Sequence, residues 1–383
     1  MISYLDNSAT TKPCDECNEA IRLMLTENWG NPSSLHGLGV GAAKEIIRAR
    51  TIIANSLCAD SREIIFTSGG TEANNLAVFG AVNARKRSGN RIVTTAIEHE
   101  SVLQSVQQLE KQGFEVIYLK PDEHGRIGEQ QLFDAVDSKT ILVSMMYINN
   151  EVGSVMPVSS IKRAVKKAGA PALIHLDCVQ AYGKININAK KLAADLITVS
   201  AHKIHGPKGT GALYINKSVN LGSQNFARTF GGEQEQKLRP GTECAPLIAG
   251  FGAAASLIDL SQNEKNKIIE LNAYTKEKLS SIDGVLFNSA DDASPYIINI
   301  CVPTFMRSQT IIQELSSNYG IYISSGSACA KGNRSHVLSA MGLDTQRIDK
   351  SIRISFCRYN TKEDADNFIS ALSDLIRKHP LRK

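Results

Sequence analysis

Between residues 60 and 215 the chain alternates two textures. Short runs rich in apolar and β-branched residues, at 63–67, 91–95, 115–119, 140–146, 172–177, 196–200 and 211–215, read as buried strands. Amphipathic stretches of helix length, such as 101–112 and 158–168, lie between several of them. Apolar strands separated by helices predict an α/β fold with a mostly parallel seven-stranded sheet covered on both faces. Ligands of such sheets sit beyond the carboxyl ends of the strands.

After about residue 255 the texture changes. The pattern predicts a long charged helix at 256–282, a strand at 296–302, a helix at 309–319 and short strands at 321–324 and 351–356. The last helix should open at Thr361, where Asp364 three residues on completes a capping-box pattern. A chain of 383 residues exceeds one simple core, so a large α/β domain followed by a smaller α+β domain is expected. No internal repeat or low-complexity linker interrupts it.

Composition removes several classes of function. A formal charge of +5 is small against 43 basic and 38 acidic residues, and the basic run at 162–167 reads as a solvated helix face, so no nucleic-acid footprint is expected. Residues 1–11 carry Asp6 and polar neighbours where a signal peptide needs an apolar stretch. No apolar run reaches the roughly 20 residues of a membrane span, and a cytoplasmic protein is the expectation. Eight cysteines, at 14, 17, 58, 178, 244, 301, 329 and 357, are scattered without a dense framework and read as reduced thiols. Cys14 and Cys17 form an isolated pair with no second pair at zinc spacing, so no metal site is expected.

Two residues at strand ends carry candidate chemistry. Asp177 closes the run Ala-Leu-Ile-His-Leu, and Lys203 follows Leu-Ile-Thr-Val-Ser after Ala201 and His202. An acid and a lysine at neighbouring strand ends suit pyridoxal 5'-phosphate (PLP): the lysine holds the aldehyde as an imine and the acid keeps the pyridine nitrogen protonated. Taken singly, Asp177 could cap a helix and Lys203 could be a solvated loop lysine. The segment Thr67-Ser68-Gly69-Gly70-Thr71-Glu72-Ala73-Asn74, between a strand and a helix, offers a phosphate site or an ordinary capped helix. Gly37-Leu-Gly39-Val-Gly41-Ala42 fits a loose dinucleotide pattern, but Asn31-Pro-Ser-Ser stands nearby where a strand should be, and no such site is expected.

Taken together these strings resemble a known family. Ser200-Ala201-His202-Lys203 with Gly206-Pro207-Lys208-Gly209 looks like the PLP-lysine signature of the class V aminotransferases. Glu98-His99, Asn149-Asn150-Glu151-Val152-Gly153 and Ser324-Ser325-Gly326-Ser327-Ala328-Cys329 are similar to the cysteine desulfurases within that class, and the likeness runs from Leu5-Asp6-Asn7-Ser8-Ala9-Thr10-Thr11 to Ser351-Ile352-Arg353. It implies a fold-type-I PLP-dependent transferase, normally a homodimer, with a large domain at 16–255 and a small domain made of 1–15 and 256–383.

The same resemblance assigns roles residue by residue. Lys203 matches the Schiff-base lysine and Asp177 the partner of the ring nitrogen, while His99 would stack on the ring and assist proton transfer. Gln180 would bond the ring hydroxyl. Gly70, Thr71, Ser200 and His202 match phosphate contacts, and Thr242, in Arg239-Pro240-Gly241-Thr242, matches the residue reaching the phosphate of the other subunit. Arg353 matches the arginine that grips the amino-acid carboxylate, with Asn150 bonding that carboxylate or the ring oxygen; a guanidinium fork suits a planar anion. Cys329 would accept sulfur from L-cysteine as a persulfide, with L-alanine released and the sulfur passed to an acceptor protein such as an iron-sulfur scaffold or a thiolation enzyme. Small residues at 324–330 and the basic stretch 331–334 around it fit a reactive thiol on a loop.

Three positions depart from the commonest pattern: Cys178 stands where a small residue is usual, Glu233 interrupts the glycine run, and His205 replaces a frequent tyrosine. The rival readings are a selenocysteine lyase or another class V enzyme, and a catalytically silent assembly partner. Cys329 in its run of small residues favours the desulfurase over the first, because transamination needs no thiol. Joint retention of Lys203, Asp177, His99, Arg353 and Cys329 speaks against the second.

Overall fold

The structure, a computed structural model, describes residues 2–219, 229–325 and 334–381. An N-terminal strand β1 (Ser3–Tyr4) precedes a run of seven: β2 (Ile64–Thr67), β3 (Arg91–Thr95), β4 (Glu115–Leu119), β5 (Thr140–Met146), β6 (Leu173–Asp177), β7 (Leu196–Ser200) and β8 (Gly211–Ile215). These seven form one sheet in the order β2-β8-β7-β6-β5-β3-β4, in which β8 alone runs against its neighbours. The expected fold class is what the chain adopts.

The burial of this sheet explains its legibility. Every residue of β5, β6 and β7 is buried, because helices lie on both faces. Successive side chains of a strand point to opposite faces. Leu142, Leu173 and Leu196 accordingly enter one apolar core, while their neighbours Val143, Ile174 and Ile197 enter another.

A third core lies apart from these two. Three antiparallel strands, β9 (Leu286–Phe287), β10 (Ile297–Cys301) and β12 (Ser351–Ser355), stand in the order β12-β10-β9, and β1 pairs in parallel with β11 (Ile321–Tyr322). Leu5, Ile298, Ile300, Ile352, Ile354, Phe368 and Leu372 pack together there. The N-terminal strip is thus tied to the C-terminal elements, with Leu5 N donating to Tyr322 O at 2.8 Å and Ser355 N donating to Leu5 O at 2.7 Å.

The helix expected at 256–282 is present as Gln262–Ser280; the preceding helix, Ala245–Ser256, ends where the expected one was to begin, and a break separates the two. Short polar side chains make the break: Asp259 accepts from the amide of Ser261 at 2.8 Å, and Ser261 caps the second helix by accepting from Glu264 N at 3.3 Å. Similar local bonds trim other boundaries. Asp60 and Glu63 close a capping box over Ser61–Glu63, so β2 begins one residue later than the expected 63. The strand expected at 321–324 pairs over Ile321–Tyr322, followed by an isolated bridge between Ser324 and Arg353. Thr361 and Asp364 form the expected capping box at the head of Lys362–Lys378. The Gly37–Ala42 string lies inside the helix Gly37–Ser56, with no strand before it. Among the described residues no helix is long and apolar enough to cross a membrane, and no cluster of His, Cys, Asp and Glu is arranged to hold a metal.

Candidate active site

The carboxyl ends of β5, β6 and β7 open into a cavity of about 830 Å³. Met146, Asp177 and Ser200 close those three strands, and all three line it. Lys203 follows β7 on the short turn Ala201–Lys203, and its Nζ donates to the carbonyls of Ser8 and, at 2.8 Å, Ala9. Asp177 is held from two sides: Oδ2 accepts from Asn74 Nδ2 at 2.7 Å and Oδ1 from Val179 N at 3.0 Å.

Asn74 extends this network. Its second amide hydrogen goes to Ser101 Oγ at 2.8 Å, and Ser101 Oγ lies 2.8 Å from His99 Nδ1. His99 caps the helix Glu100–Lys111, its Nδ1 accepting from Ser101 N at 3.2 Å. A ring nitrogen that accepts a backbone N–H carries no proton, so neutral His99 bears its proton on Nε2. Burial pushes its pKa below the ordinary value, Asp177 acts against that and Lys203 with it.

The same cavity meets a helix start suited to an anion. The helix Gly70–Arg85 starts after Gly69, whose φ of 150° suits glycine, and no side chain caps it. The amides of a first helical turn lack partners within the helix and point toward any anion placed there. A Cβ on Gly70 would come within 2.9 Å of Val179 Cγ2, so a larger residue there would have to displace the Val179 side chain. Ser200 Oγ is buried without a hydrogen-bond partner among the described residues. His202 lines the same wall with Nδ1 3.2 Å from Thr10 Oγ1, and burial with Lys203 and Lys208 holds its pKa down at about 4.

Arg353 occupies the middle of β12, opposite Asn299, and its side chain is only 1% exposed. Nη1 donates to the Asn150 carbonyl at 2.7 Å and Nη2 to Asp6 Oδ1 at 2.7 Å. Asn150 and Gln180 line the cavity with it. Thr242 is exposed and does not line this cavity, and Cys329 lies outside the described residues. The cavity therefore combines a lysine amine, a fixed carboxylate, an anion cradle and a guanidinium, the set needed to hold a phosphorylated aldehyde beside an amino acid.

Comparison with known proteins agrees. The aminotransferase class-V family model matches residues 3–368. The putative cysteine desulfurase IscS 1 of Bacillus subtilis (strain 168) is 40% identical over 382 residues, covering 98% of each chain. The chain belongs to the cysteine desulfurase family. Among solved structures, a NifS-like protein superposes with a TM-score of 0.91 at 35% identity, covering 99% of this chain and 100% of that one. A structure described as SspA in complex with cysteine gives a TM-score of 0.80 at 32% identity over 94% of this chain and 100% of that one.

The departures from the usual family pattern are locally accommodated. Cys178 is fully buried, and burial together with Asp177 pushes its thiol well up, so it is no thiolate. His205 adopts a left-handed backbone with φ 66°, donates from Nδ1 to Lys12 O at 2.9 Å and meets the Tyr359 ring edge-on at 4.8 Å. Glu233 is exposed and pairs with Lys237 at 2.9 Å. Sequence reasoning missed the roles of Ser8, Asn74, Ser101 and His336. Of these, Asn74 had a visible signal, being an amide just past the first turn of the phosphate-type helix. His336, which lines the cavity and donates from Nε2 to Glu98 O at 2.9 Å, had none beyond being a histidine.

Proposed function

We propose that the protein is a PLP-dependent cysteine desulfurase that takes sulfur from free L-cysteine onto Cys329, releases L-alanine and passes the sulfur to an acceptor protein. The observation that carries this reading is the pairing of Lys203 and the doubly anchored Asp177 at neighbouring strand ends, beside an uncapped helix start and an orphaned Ser200 hydroxyl. Those residues fit PLP. Gly70, Thr71, Ser200 and His202 would hold its phosphate, Asp177 its ring nitrogen, Gln180 its ring oxygen, His99 its face, and Lys203 its aldehyde carbon.

Bound there, PLP supplies an electron sink that lowers the cost of negative charge on the substrate carbons. Arg353 binds the cysteine carboxylate, and Asn150 helps orient it. Lys203 Nζ, at the cavity wall, would take up the α-proton. The Cys329 thiolate would attack the substrate sulfur: an S–S bond forms, the Cβ–S bond breaks, and its electron pair stays with the carbon fragment, which takes up a proton at Cβ, regains the α-proton from Lys203 and leaves as alanine. No outside oxidant or reductant is required.

A homodimer suits the surface. Trp29, Leu35, Leu38, Val40 and Ile47 are exposed within one stretch of chain, Leu35 almost completely. Thr242, exposed on its own subunit, would reach the phosphate of the other. The separate third core supports a small domain of 1–15 and 256–383 beside a large one of 16–255. Cysteines that stay unpaired among the described residues suit a reducing, cytoplasmic setting.

The test incubates purified protein, PLP and L-cysteine, and measures alanine and the mass of the intact chain. Alanine with one added sulfur on Cys329 is expected, and Lys203→Ala should give neither. Turnover of selenocysteine alone would make the protein a lyase, and no turnover of either would make it a silent partner.

A further inference from the structure

We infer that Lys184 is a positioning residue of the active site: it fixes the Gln180 amide so that Gln180 presents a hydrogen-bond donor, never an acceptor, to the cavity. This rests on reading the cavity as a PLP site, where that donor would meet the ring oxygen. Lys184 Nζ donates to Gln180 Oε1 at 2.9 Å, and Gln180 Nε2 donates to the Ser8 carbonyl at 2.8 Å. The protonated Lys184 ammonium has donors only, so the amide oxygen must face it in that form. The Ser8 carbonyl has acceptors only, so the amide nitrogen must face that side. One amide hydrogen is used on Ser8, leaving the second for an acceptor in the cavity that Gln180 lines.

The lysine sits where an ammonium is costly. It is 7% exposed, its Nζ lies 5.5 Å from the centre of the Tyr296 ring, and the like charges of Lys203 and Arg353 act against its ammonium, with the Cys357 thiol also near. Burial holds its pKa down at about 7. An apolar side chain would fill this space without that cost. What it could not do is bind the Gln180 oxygen, the contact that adds to the Ser8 carbonyl in holding the amide in one orientation. The Ser8 carbonyl also accepts from Lys203 Nζ, so Lys184, Gln180, Ser8 and Lys203 form one hydrogen-bonded line from the buried lysine to the reacting one.

A double-mutant cycle on the full-length protein, freed of PLP and titrated calorimetrically with 4-deoxypyridoxine 5'-phosphate, tests this. The analogue keeps the ring oxygen and phosphate but cannot bond covalently to Lys203. Lys184→Met should weaken its binding about tenfold, the effect of one lost hydrogen bond, and Lys184→Arg should restore most of it. In a Gln180→Leu background the same Lys184→Met change should have no further effect, because the amide through which it acts is gone. Additive losses would make Lys184 merely structural and overturn the inference. Should Lys184→Met not fold, Gln180→Glu gives a second test: its carboxylate offers acceptors on both sides, so the analogue should bind at least tenfold more weakly while the melting temperature holds or rises through pairing with Lys184. Unchanged affinity in that variant also overturns the inference. Failure of the unmutated protein to bind the analogue would instead sink the PLP reading, and this inference with it.

Discussion

At the scale of single residues, the site divides into groups visible in the sequence and groups that only folding brings in. Asp177 and Lys203 were legible because each ends an apolar run, and strand ends face the ligand side of such a sheet. Ser8 was not legible: it is 172 residues from Gln180 and 195 from Lys203, and it acts through a backbone carbonyl that any residue possesses. Arg353 would have passed for a strand-edge charge without the family likeness, yet it is buried in the middle of β12 against Asp6. Arg353→Ala should raise the KM for cysteine strongly and leave PLP content nearly intact, since a lost charge-assisted bond costs about 1.5 to 3 kcal/mol; unchanged cysteine kinetics would remove Arg353 from the substrate site. Asp6, left without its cation in that variant, belongs in the same comparison, and Asp6→Asn should move KM less. Cys329→Ser should keep PLP but lose the added sulfur, with alanine release down by orders of magnitude, because a hydroxyl cannot form a persulfide. Normal release with sulfur on another cysteine would shift the role to that thiol. Cys178 is a poor substitute, being fully buried with its thiol pKa pushed up.

At the scale of elements, apolar runs gave reliable strands and local hydrogen bonds set their limits. All seven strands of the main sheet appear where the pattern put them, because strands buried on both faces are continuous apolar runs. The helix expected at 256–282 is there but begins at Gln262: polar residues are common to helix surfaces and to turns, so periodicity does not mark the break before it that Asp259 and Ser261 make with their side chains. Capping boxes are the legible exception, since their spacing is fixed. Thr361→Ala should cost about 0.5 to 2 kcal/mol by removing the hydroxyl that accepts from Asp364 N. A lower melting temperature with unchanged cysteine kinetics is the expected result, and Thr361→Ser should recover it. An unaltered melting temperature in the alanine variant would mean that the terminal helix is held by its apolar face alone, where Phe368, Leu372 and Leu375 pack into the third core.

At the scale of the whole molecule, buried ionisable groups predict how stability follows pH. Burial holds His175, His202 and His205 at about 4, so the unfolded chain binds protons between pH 6.5 and 4 that the folded chain refuses. Their contribution is full above about 6.5 and is lost as pH falls toward 4, by about 1.4 kcal/mol per pH unit for each histidine. Glu98, raised to about 8, has the opposite sign and offsets part of this loss. The midpoint of urea unfolding should therefore fall between pH 7 and pH 4.5, and a flat profile would contradict the burial of these rings. Assembly is the larger question. Trp29 is 66% exposed and Leu35 98% exposed, which leaves apolar area facing water on a single chain. Thr242 is exposed as well and lies outside its own cavity. In a two-fold dimer one patch meets its copy, and each subunit can then lend Thr242 to the other's phosphate cradle. Trp29→Asp combined with Leu35→Asp should convert a dimer to monomers in sedimentation, since two carboxylates would be buried in that interface without partners. PLP should then be retained less firmly, as each cradle loses the contact supplied across the interface. Thr242→Ala separates the two effects: it should weaken PLP retention while the protein stays dimeric. A double aspartate variant that sediments as a dimer would move the interface away from residues 29–47, and a Thr242→Ala protein with undiminished PLP affinity would confine the cradle to one subunit.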